Sequence, residues 1–590
     1  MPLSKTKILD ELFKTAPSLL SEDDCAENIV IPFLLRLGYD RQQMQRKVTI
    51  TGFSGRKFRK QADIILFIDG RAAIIVETKK LQHRLREEDA NQVLSYAQLV
   101  DPPAPFAILT NGKDWEVYKL FDEAIGDLSA VPEPDELSVT VGRLAGITIP
   151  AETKQAAERL LLTIENREDL EEAFRNCRKF LAREGLIAET AFDELTKILV
   201  CKFNEEKRHF EGLGTYRFKA EWAKTEGPVQ ALREMFVEAR QRFRVFPAGT
   251  QINLTNNQTV LDIIKALESF GFYGFKTPLG LAGAGGDIVG SVYETFLTGT
   301  LRGDLGQYLT PRQLVDFMVE IADVQVGERV LDLSAGSGGF LIRTFLEVRK
   351  KIRLMEVPQS KKDQIIEDLV LNHLWGVEIN ERLATLARIN LILHGDGYEH
   401  IYTGDSIRDT VYTNTDGRIV DLAQIEAGNI PKFDLILMNP PFNLPYDEAE
   451  VLNKYDLGRG KSAQGSDFLM LERALRLLDS ERGRLLIIMP HGVASGTSEK
   501  EIRDYVKAKS HIRSVISLPV GAFKPFGGSN ARTCILYLTK SKRVSGSSRF
   551  LAQAEAVGYD ITSKYYKETN ENDLLALADH YHKVAGDLIR

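Results

Sequence analysis

Cysteine is scarce in this chain: four in 590 residues, Cys25, Cys177, Cys201 and Cys534. They are scattered, which excludes a disulfide framework and the paired spacing of a zinc site. Long apolar runs are missing too. No stretch approaches the ~18–20 apolar residues of a membrane span, and the start, MPLSKTKILDELF, lacks a signal-peptide core. A cytoplasmic protein with reduced thiols is expected. Positive charge is not in excess: 76 Lys and Arg against 83 Asp and Glu leave a net charge of −7. That argues against wholesale non-specific nucleic-acid binding and leaves local patches open. There is no G-x-x-x-x-G-K-S/T loop, so a translocating motor would have to be another chain. What is present is an ordinary globular composition, long enough for several domains because single cores seldom pass ~250–300 residues.

The most informative stretch is Phe433-Asp434-Leu435-Ile436-Leu437-Met438-Asn439-Pro440-Pro441-Phe442. Its apolar run reads as a buried parallel strand, stopped where two prolines forbid further ladder pairing. The Asn439 side-chain carbonyl and the Pro440 carbonyl can both accept from one exocyclic amino group, and Phe442 can stack on the ring that carries it. Pro441 completes a rigid polar rim. The segment resembles the Asn-Pro-Pro-Phe motif of methyltransferases that act on the N6 amine of adenine.

Residues 1–125 read as α-β-β-β-α-β. A helix over 22–37 ends at Gly38, and a strand over 47–50 follows. QADIILFIDG and RAAIIVETKK are two apolar runs joined at Asp69-Gly70, a hairpin signal. Then come a helical stretch, REEDANQVLSYAQLV, and a second hairpin, FAILTNG with DWEVYKL. Asp63 and Glu77 can approach across the first hairpin, and Lys79 shares the Glu77 face by strand alternation. Two hard oxygen ligands and an ammonium suit metal-assisted phosphodiester hydrolysis. The arrangement resembles the D…E-x-K nucleases, and Gln92-x-x-x-Tyr96 extends the likeness to the amino-terminal nuclease domain of type I restriction subunits. That resemblance implies Mg2+ held by Asp63 and Glu77, with Glu27 as an additional acid. The segment RQQMQRKVTITGFSGRKFRK, rich in Lys and Arg and without acids, reads as a solvated loop or as a phosphate-contacting surface.

Residues 126–150 lose periodicity and read as a linker. Residues 151–285 are helical by pattern and carry no residues that suggest chemistry. They resemble the amino-terminal helical domain of type I modification subunits, and a purely structural bundle fits the pattern equally.

From about 286 to 545 strand and helix patterns alternate. Gln307-Tyr308-Leu309-Thr310-Pro311 precedes a helix and resembles a motif that closes over the methionine end of S-adenosylmethionine. RVLDL ends at Asp332 and runs into Ser334-Ala335-Gly336-Ser337-Gly338-Gly339, a turn whose glycines let a ligand approach the backbone. The family usually reads Asp-Pro-x-Cys-Gly here; Asp-Leu-Ser-Ala-Gly keeps the acid and the glycine. HLWGVEIN ends at Glu378, placed for ribose hydroxyls, and Asp405 follows a short strand, where it could hold the cofactor's adenine amine. SVISL and TCILYLT would form an antiparallel edge, and 546–590 a carboxyl-terminal tail.

The whole resembles the modification subunit of type I restriction-modification systems fused to a restriction-like nuclease domain. It implies an α/β, multi-domain chain: a nuclease-like α/β domain, a central helical domain, and a doubly wound Rossmann-like domain that methylates adenine N6 with S-adenosylmethionine. No base-reading module is found. The resemblance therefore implies double-stranded DNA as substrate, a separate specificity subunit, and a motor or restriction subunit. Methylation of RNA or of a protein glutamine, and a DNA-binding scaffold with decayed sites, stand as alternatives.

Overall fold

The computed structural model describes residues 4–15, 21–52, 57–120, 124–144, 149, 151, 154–155, 157–158, 167–247, 249–272, 310–394, 399–412, 417–442, 444–497, 499–526, 530–540, 549–563 and 567–588. The chain divides into two compact units, the first essentially 1–239 with 251–296 and the second most of the remainder.

The first unit opens with the helix Lys5–Thr15 and a helical run from Glu22 to Arg36 that includes a π turn at Ala26–Val30. Ser21 and Asp24 cap that run reciprocally: each side chain accepts from the other's amide, at 3.0 and 2.9 Å. Six strands follow in sheet order: β1 (Met44–Thr51), β2 (Lys57–Ile68), β3 (Arg71–Thr78), β4 (Phe106–Thr110), β5 (Trp115–Lys119) and β6 (Ala124–Gly126). All neighbours are antiparallel except β3 and β4, which the crossover helix Glu87–Leu99 makes parallel. The β2–β3 turn falls at Asp69-Gly70 with φ of 50° and 75°, the doubly positive pair that a two-residue hairpin needs. Ile29, Phe33, Ile64, Val76 and Ile108 are fully buried between helix and sheet.

Two expectations need correction here. The basic stretch 41–60 is no loop, because it holds β1 and the start of β2, and β1 pairs with β2 from Met44 opposite Leu66 to Thr51 opposite Lys57. Residues 126–150 are no simple linker. They contain the helix Pro134–Arg143, and Val131, Leu137 and Val141 enter the same core while the Tyr39 hydroxyl donates to the Pro132 carbonyl at 2.8 Å. Three widely spaced apolar residues sufficed to dock a segment whose Pro, Gly and acid content hides its period.

Beyond it come the helices Arg167–Arg183, Ala188–Phe210, Ala220–Glu226, Pro228–Phe243 and Asn257–Leu267, much as periodicity indicates. Among their buried charged residues is Lys202, fully buried. Its ammonium donates to Glu206 at 2.6 Å and to the Tyr216 hydroxyl at 3.0 Å, with the Phe218 and Phe272 rings about it.

The second unit holds a ten-stranded sheet. In chain order its strands are β7 (Val330–Asp332), β8 (Leu374–Glu378), β9 (Ile401–Thr403), β10 (Thr410–Tyr412), β11 (Ile419–Asp421), β12 (Leu435–Met438), β15 (Arg484–Pro490), β16 (His511–Ser517), β17 (Thr533–Thr539) and β18 (Phe550–Gln553). Two-residue strands β13 (Pro445–Tyr446) and β14 (Gln464–Gly465) pair by themselves, as do β19 (Val557–Tyr559) and β20 (Glu568–Asn572). Across the sheet the order is β11-β10-β9-β8-β7-β12-β15-β17-β16-β18. The run from β9 to β15 is parallel, and β17 lies antiparallel to both its neighbours, as SVISL and TCILYLT led one to expect. Alternate residues of β12 enter opposite cores, Leu435 and Leu437 on one face, Ile436 and Met438 on the other. Helices therefore cover both faces, which is the doubly wound arrangement.

The stretch 546–590 is no tail. Strand β18 extends the sheet beside β16, and the helix Asp573–Leu588 brings Tyr581 against Tyr537 and Phe550. Short strands after a polar gap gave no periodic signal long enough to reveal this.

Candidate functional site

In an open parallel sheet, ligands bind beyond the carboxyl ends of the strands where the order reverses. Here that point is β7, flanked by β8 and β12. Asp332 ends β7, Glu378 ends β8, Asp405 follows β9 after Gly404, and Asn439 follows β12. In the sequence these residues are spread over positions 332 to 439; the topology lines them along one edge.

Asp332 is buried and accepts from the Ser334 amide at 3.0 Å. Burial pushes its carboxyl up to about 8, with the Ser334 amide opposing and the charge of Glu378 adding. Glu378 accepts from the Gly336 amide at 2.8 Å and the Asn380 amide at 2.9 Å, and burial raises it as well. The Ser334 hydroxyl donates to the Asn439 main-chain carbonyl at 3.1 Å. The side-chain oxygen of Asn439 is buried and has no hydrogen-bond partner among the described residues. Pro440 is buried, the Pro441 carbonyl accepts from the Ser466 hydroxyl at 3.3 Å, and Phe442, partly buried, packs against the core.

Asp405 Oδ1 accepts from the Ile407 amide at 2.9 Å and Oδ2 from the Tyr446 hydroxyl at 3.0 Å. Pro311 sits at the amino-terminal cap of the helix Arg312–Ala322, just after Thr310; Gln307 and Tyr308 lie outside the described residues. Gly336 and Gly338 have φ of 53° and 86°. A β-carbon on Gly338 would meet that of Ala387 at 3.3 Å, so its bareness serves packing of the turn on the helix Glu381–His394.

Sequence reasoning missed Tyr446, Ser466 and Asp467. Asp467 lies in the first turn of the helix Ser466–Leu477, buried, with neither carboxylate oxygen in a well-formed hydrogen bond among the described residues. Burial pushes it up to about 6, opposed by the amides of Asp467 and Phe468. In sequence it looks like any acid capping a helix.

In the first unit Glu77, Lys79, Gln92 and Tyr96 form one hydrogen-bonded chain. Glu77 Oε1 accepts from Lys79 at 3.0 Å and from Gln92 at 2.9 Å, and Gln92 also donates to the Tyr96 hydroxyl at 3.0 Å. Glu77 Oε2 is buried without a partner among the described residues. Burial pushes Glu77 up to about 8 against the pull of Lys79, while Lys79, despite burial, is held above its ordinary range by Glu77 and Asp89.

Asp63 stands apart from this chain. Its Oδ2 accepts from the Thr78 amide and hydroxyl at 2.8 and 2.7 Å, and its Oδ1 from Lys47 at 2.8 Å. Lys47 also pairs with Asp23 at 3.1 Å, and Arg46 with Asp23 and Glu27. Among the described residues no group of three or more His, Cys, Asp or Glu could hold a metal ion. Asp63 and Glu77 make a pair of carboxylates rather than such a group, and a cation shared between them would compete with the Lys47 ammonium at 2.8 Å from Asp63 Oδ1. Lys47, hidden in sequence within a basic run, is the residue that decides this; its backbone is left-handed, with φ of 50°.

The model of the family described as N-6 DNA Methylase matches residues 284–586, more than half of the chain. The chain belongs to that family. A second model, described as Type I restriction enzyme R protein N terminus, matches residues 27–132 of the same chain. Over 258 residues it is 26% identical to the Type I restriction enzyme EcoEI methylase subunit of Escherichia coli, covering 43% of this chain and 47% of that protein. Over 269 residues it is 27% identical to the Type II restriction enzyme and methyltransferase RM.BcgI of Heyndrickxia coagulans, covering 44% and 36%. The chain thus spans less than half the length of these curated relatives. A crystal structure described as a modification subunit of a type I restriction enzyme from Vibrio vulnificus YJ016 superposes with a TM-score of 0.50 at 18% identity, over 72% of this chain and 90% of that one. This likeness supports the multi-domain α/β fold. No helix among the described residues is long and apolar enough to cross a membrane.

Proposed function

We propose that this N-6 DNA methylase transfers the methyl group of S-adenosylmethionine to adenine N6 in double-stranded DNA, as the modification subunit of a type I-like restriction-modification system. The observation that carries the reading is the buried, unpartnered oxygen of Asn439 at the switch point of the sheet. A buried acceptor left unpaired costs about 1–3 kcal/mol, so it is suited to a donor from a ligand.

The residues fit the cofactor. Asp332 and Glu378, both raised by burial, gain from an ammonium and from ribose hydroxyls. Asp405 would accept the adenine amine; Ser334, Gly336 and Gly338 shape the turn, and Gln307, Tyr308, Thr310 and Pro311 would cover the methionine end. S-adenosylmethionine, when bound, supplies an electrophilic sulfonium methyl. Asn439 and the Pro440 carbonyl would accept from the target amine and localise its lone pair, so the rate gain comes from orientation and polarisation. Phe442, held by the core, would stack on a base taken out of the duplex, and Pro441 keeps the rim rigid. Sequence-specific action would need a separate specificity subunit, and cleavage a motor or restriction subunit. Equilibrium binding of S-adenosylmethionine, followed by transfer to duplex DNA, RNA and protein in parallel, tests the reading. Transfer to RNA or a glutamine would select the alternative substrates, and no cofactor binding would leave a scaffold.

For residues 1–125 we propose a restriction-nuclease-like domain whose chemistry centres on Glu77, Lys79, Gln92 and Tyr96. The orphaned Glu77 Oε2 favours it. The arrangement described is a silent one, since a Mg2+-dependent endonuclease would first need Lys47 to leave Asp63.

A further inference from the structure

Four residues beyond Phe442 the chain touches a different part of the site. The Tyr446 hydroxyl donates to Asp405 Oδ2 at 3.0 Å, while the Ile407 amide fixes Oδ1 at 2.9 Å. Burial and the negative charge of Asp405 push the Tyr446 phenol well above its ordinary range, so it remains a donor at neutral pH.

Tyr446 is not on a free loop. Strand pairing sets it opposite Gln464 and sets Pro445 opposite Gly465. The next residue, Ser466, ties back twice: its amide donates to the Leu444 carbonyl at 2.9 Å, and its hydroxyl to the Pro441 carbonyl at 3.3 Å. A short path of hydrogen bonds thus runs from the Asp405 carboxylate, through Tyr446 and the β13–β14 ladder, to the second proline of Asn-Pro-Pro-Phe. The ion pair of Glu448 with Arg408 and the 2.8 Å pair of Lys454 with Asp409 fasten the same two segments by their surface side chains. Arg408 also stands 3.6 Å from Asp405 Oδ2 as an ion pair, and the Tyr446 hydroxyl is the group that hydrogen-bonds that oxygen from the segment following Asn439.

We propose that Tyr446 couples the two halves of the site, so that an adenosyl moiety at Asp405 and an unpaired adenine at Asn439 bind with positive cooperativity. This rests on the methyltransferase reading. A carboxylate oxygen that accepts from both the phenol and an arriving exocyclic amine is held more tightly than by either donor, and the ring that carries the phenol is held with it. The segment after Asn439 then spends less of its binding free energy on being ordered. By linkage the effect is reciprocal, and coupling of this kind is typically ~5–150-fold.

The test uses the full chain, S-adenosylhomocysteine as a cofactor probe that has no methyl to transfer, and single-stranded oligo(dA), whose bases need no flipping. Calorimetry gives the Kd of the probe with and without oligo(dA). In the wild type the oligonucleotide should tighten the probe at least about fivefold. In Tyr446→Phe that ratio should fall to within twofold of one, with the oligonucleotide-free Kd moved no more than about threefold, whereas Lys454→Gln, which loosens the same two segments away from Asp405, should keep the wild-type ratio. A mutation-free arm uses the purine-riboside analogue of the probe, which lacks the exocyclic amine and should also show a ratio near one. An undiminished ratio in Tyr446→Phe or with the analogue overturns the coupling, as does a wild-type ratio of one. A wild type that binds no probe at all overturns the methyltransferase reading instead, so the two failures are distinguishable.

Discussion

The Ser334 hydroxyl donates to the Asn439 main-chain carbonyl at 3.1 Å, joining the turn after β7 to the segment after β12 across 105 residues of sequence. Two neighbouring strand ends are thereby held in register by one side chain. Ser334→Ala should lower kcat by less than about tenfold, the worth of one neutral hydrogen bond, and leave the cofactor Kd almost unchanged. Steady-state kinetics with a cofactor titration checks this; a change confined to cofactor binding would assign Ser334 to the cofactor alone.

Asn439→Ala should reduce methyl transfer by ~10²–10³-fold, the usual cost of one lost polarising hydrogen bond, with S-adenosylmethionine binding within threefold of wild type. Single-turnover transfer and calorimetry separate the two. Near-normal transfer would remove Asn439 from the chemistry.

The Asp332 carboxyl titrates near 8 in the folded chain, against ~3.9 for a free aspartate. Between those values the folded chain keeps a proton that the unfolded chain has released. This contribution to stability is present below pH ~4 and is lost as pH rises through about 8. Asp332→Asn should therefore raise the Tm at pH 8 by a few degrees relative to wild type and flatten this part of the pH profile. The same substitution should weaken cofactor binding. At pH 7 binding to the wild type should also release a proton, seen as a buffer-dependent calorimetric enthalpy that the variant lacks.

Gly338→Ala places a β-carbon at φ 86° and 3.3 Å from the Ala387 β-carbon. A destabilisation of about 1–3 kcal/mol is expected, read as a lower Tm in thermal unfolding. Cofactor affinity measured well below that Tm should change little if the glycine serves packing.

Lys47→Met should free Asp63 Oδ1. We expect tighter Mn2+ binding to the full chain by calorimetry and stronger Mg2+-dependent nicking in assemblies with the partner subunits, both abolished by adding Glu77→Gln. Absence of metal binding in both proteins would leave the first unit a nuclease fold without nuclease activity.

Much of the site could be read from sequence because its acids and Asn439 close short apolar runs, and strand ends are where such sheets bind ligands. Glu77, Lys79, Gln92 and Tyr96 came together for a related reason: strand alternation and one helical turn fix their spacing locally. Lys47 and Tyr446 were not legible, since each acts across a turn or a loop on a residue far along the chain, and neither has a periodic neighbour to betray its direction. The docking of 126–144 and of 549–588 was hidden likewise, because a few apolar residues among many polar ones carry it.

The helix Asp573–Leu588 packs beside Arg312–Ala322, the helix that precedes β7, and His582 stands 3.7 Å from Glu320. The two helices run in the same direction, for Gln313 and Asn572 both crowd Gly558 at their first turns while Glu320 and His582 meet further on. Leu588 therefore lies roughly 24 Å from the Arg312 end, at ~1.5 Å of rise per residue over the last helix. A circular permutant joining these two ends should fold only with a linker long enough to run back along that helix.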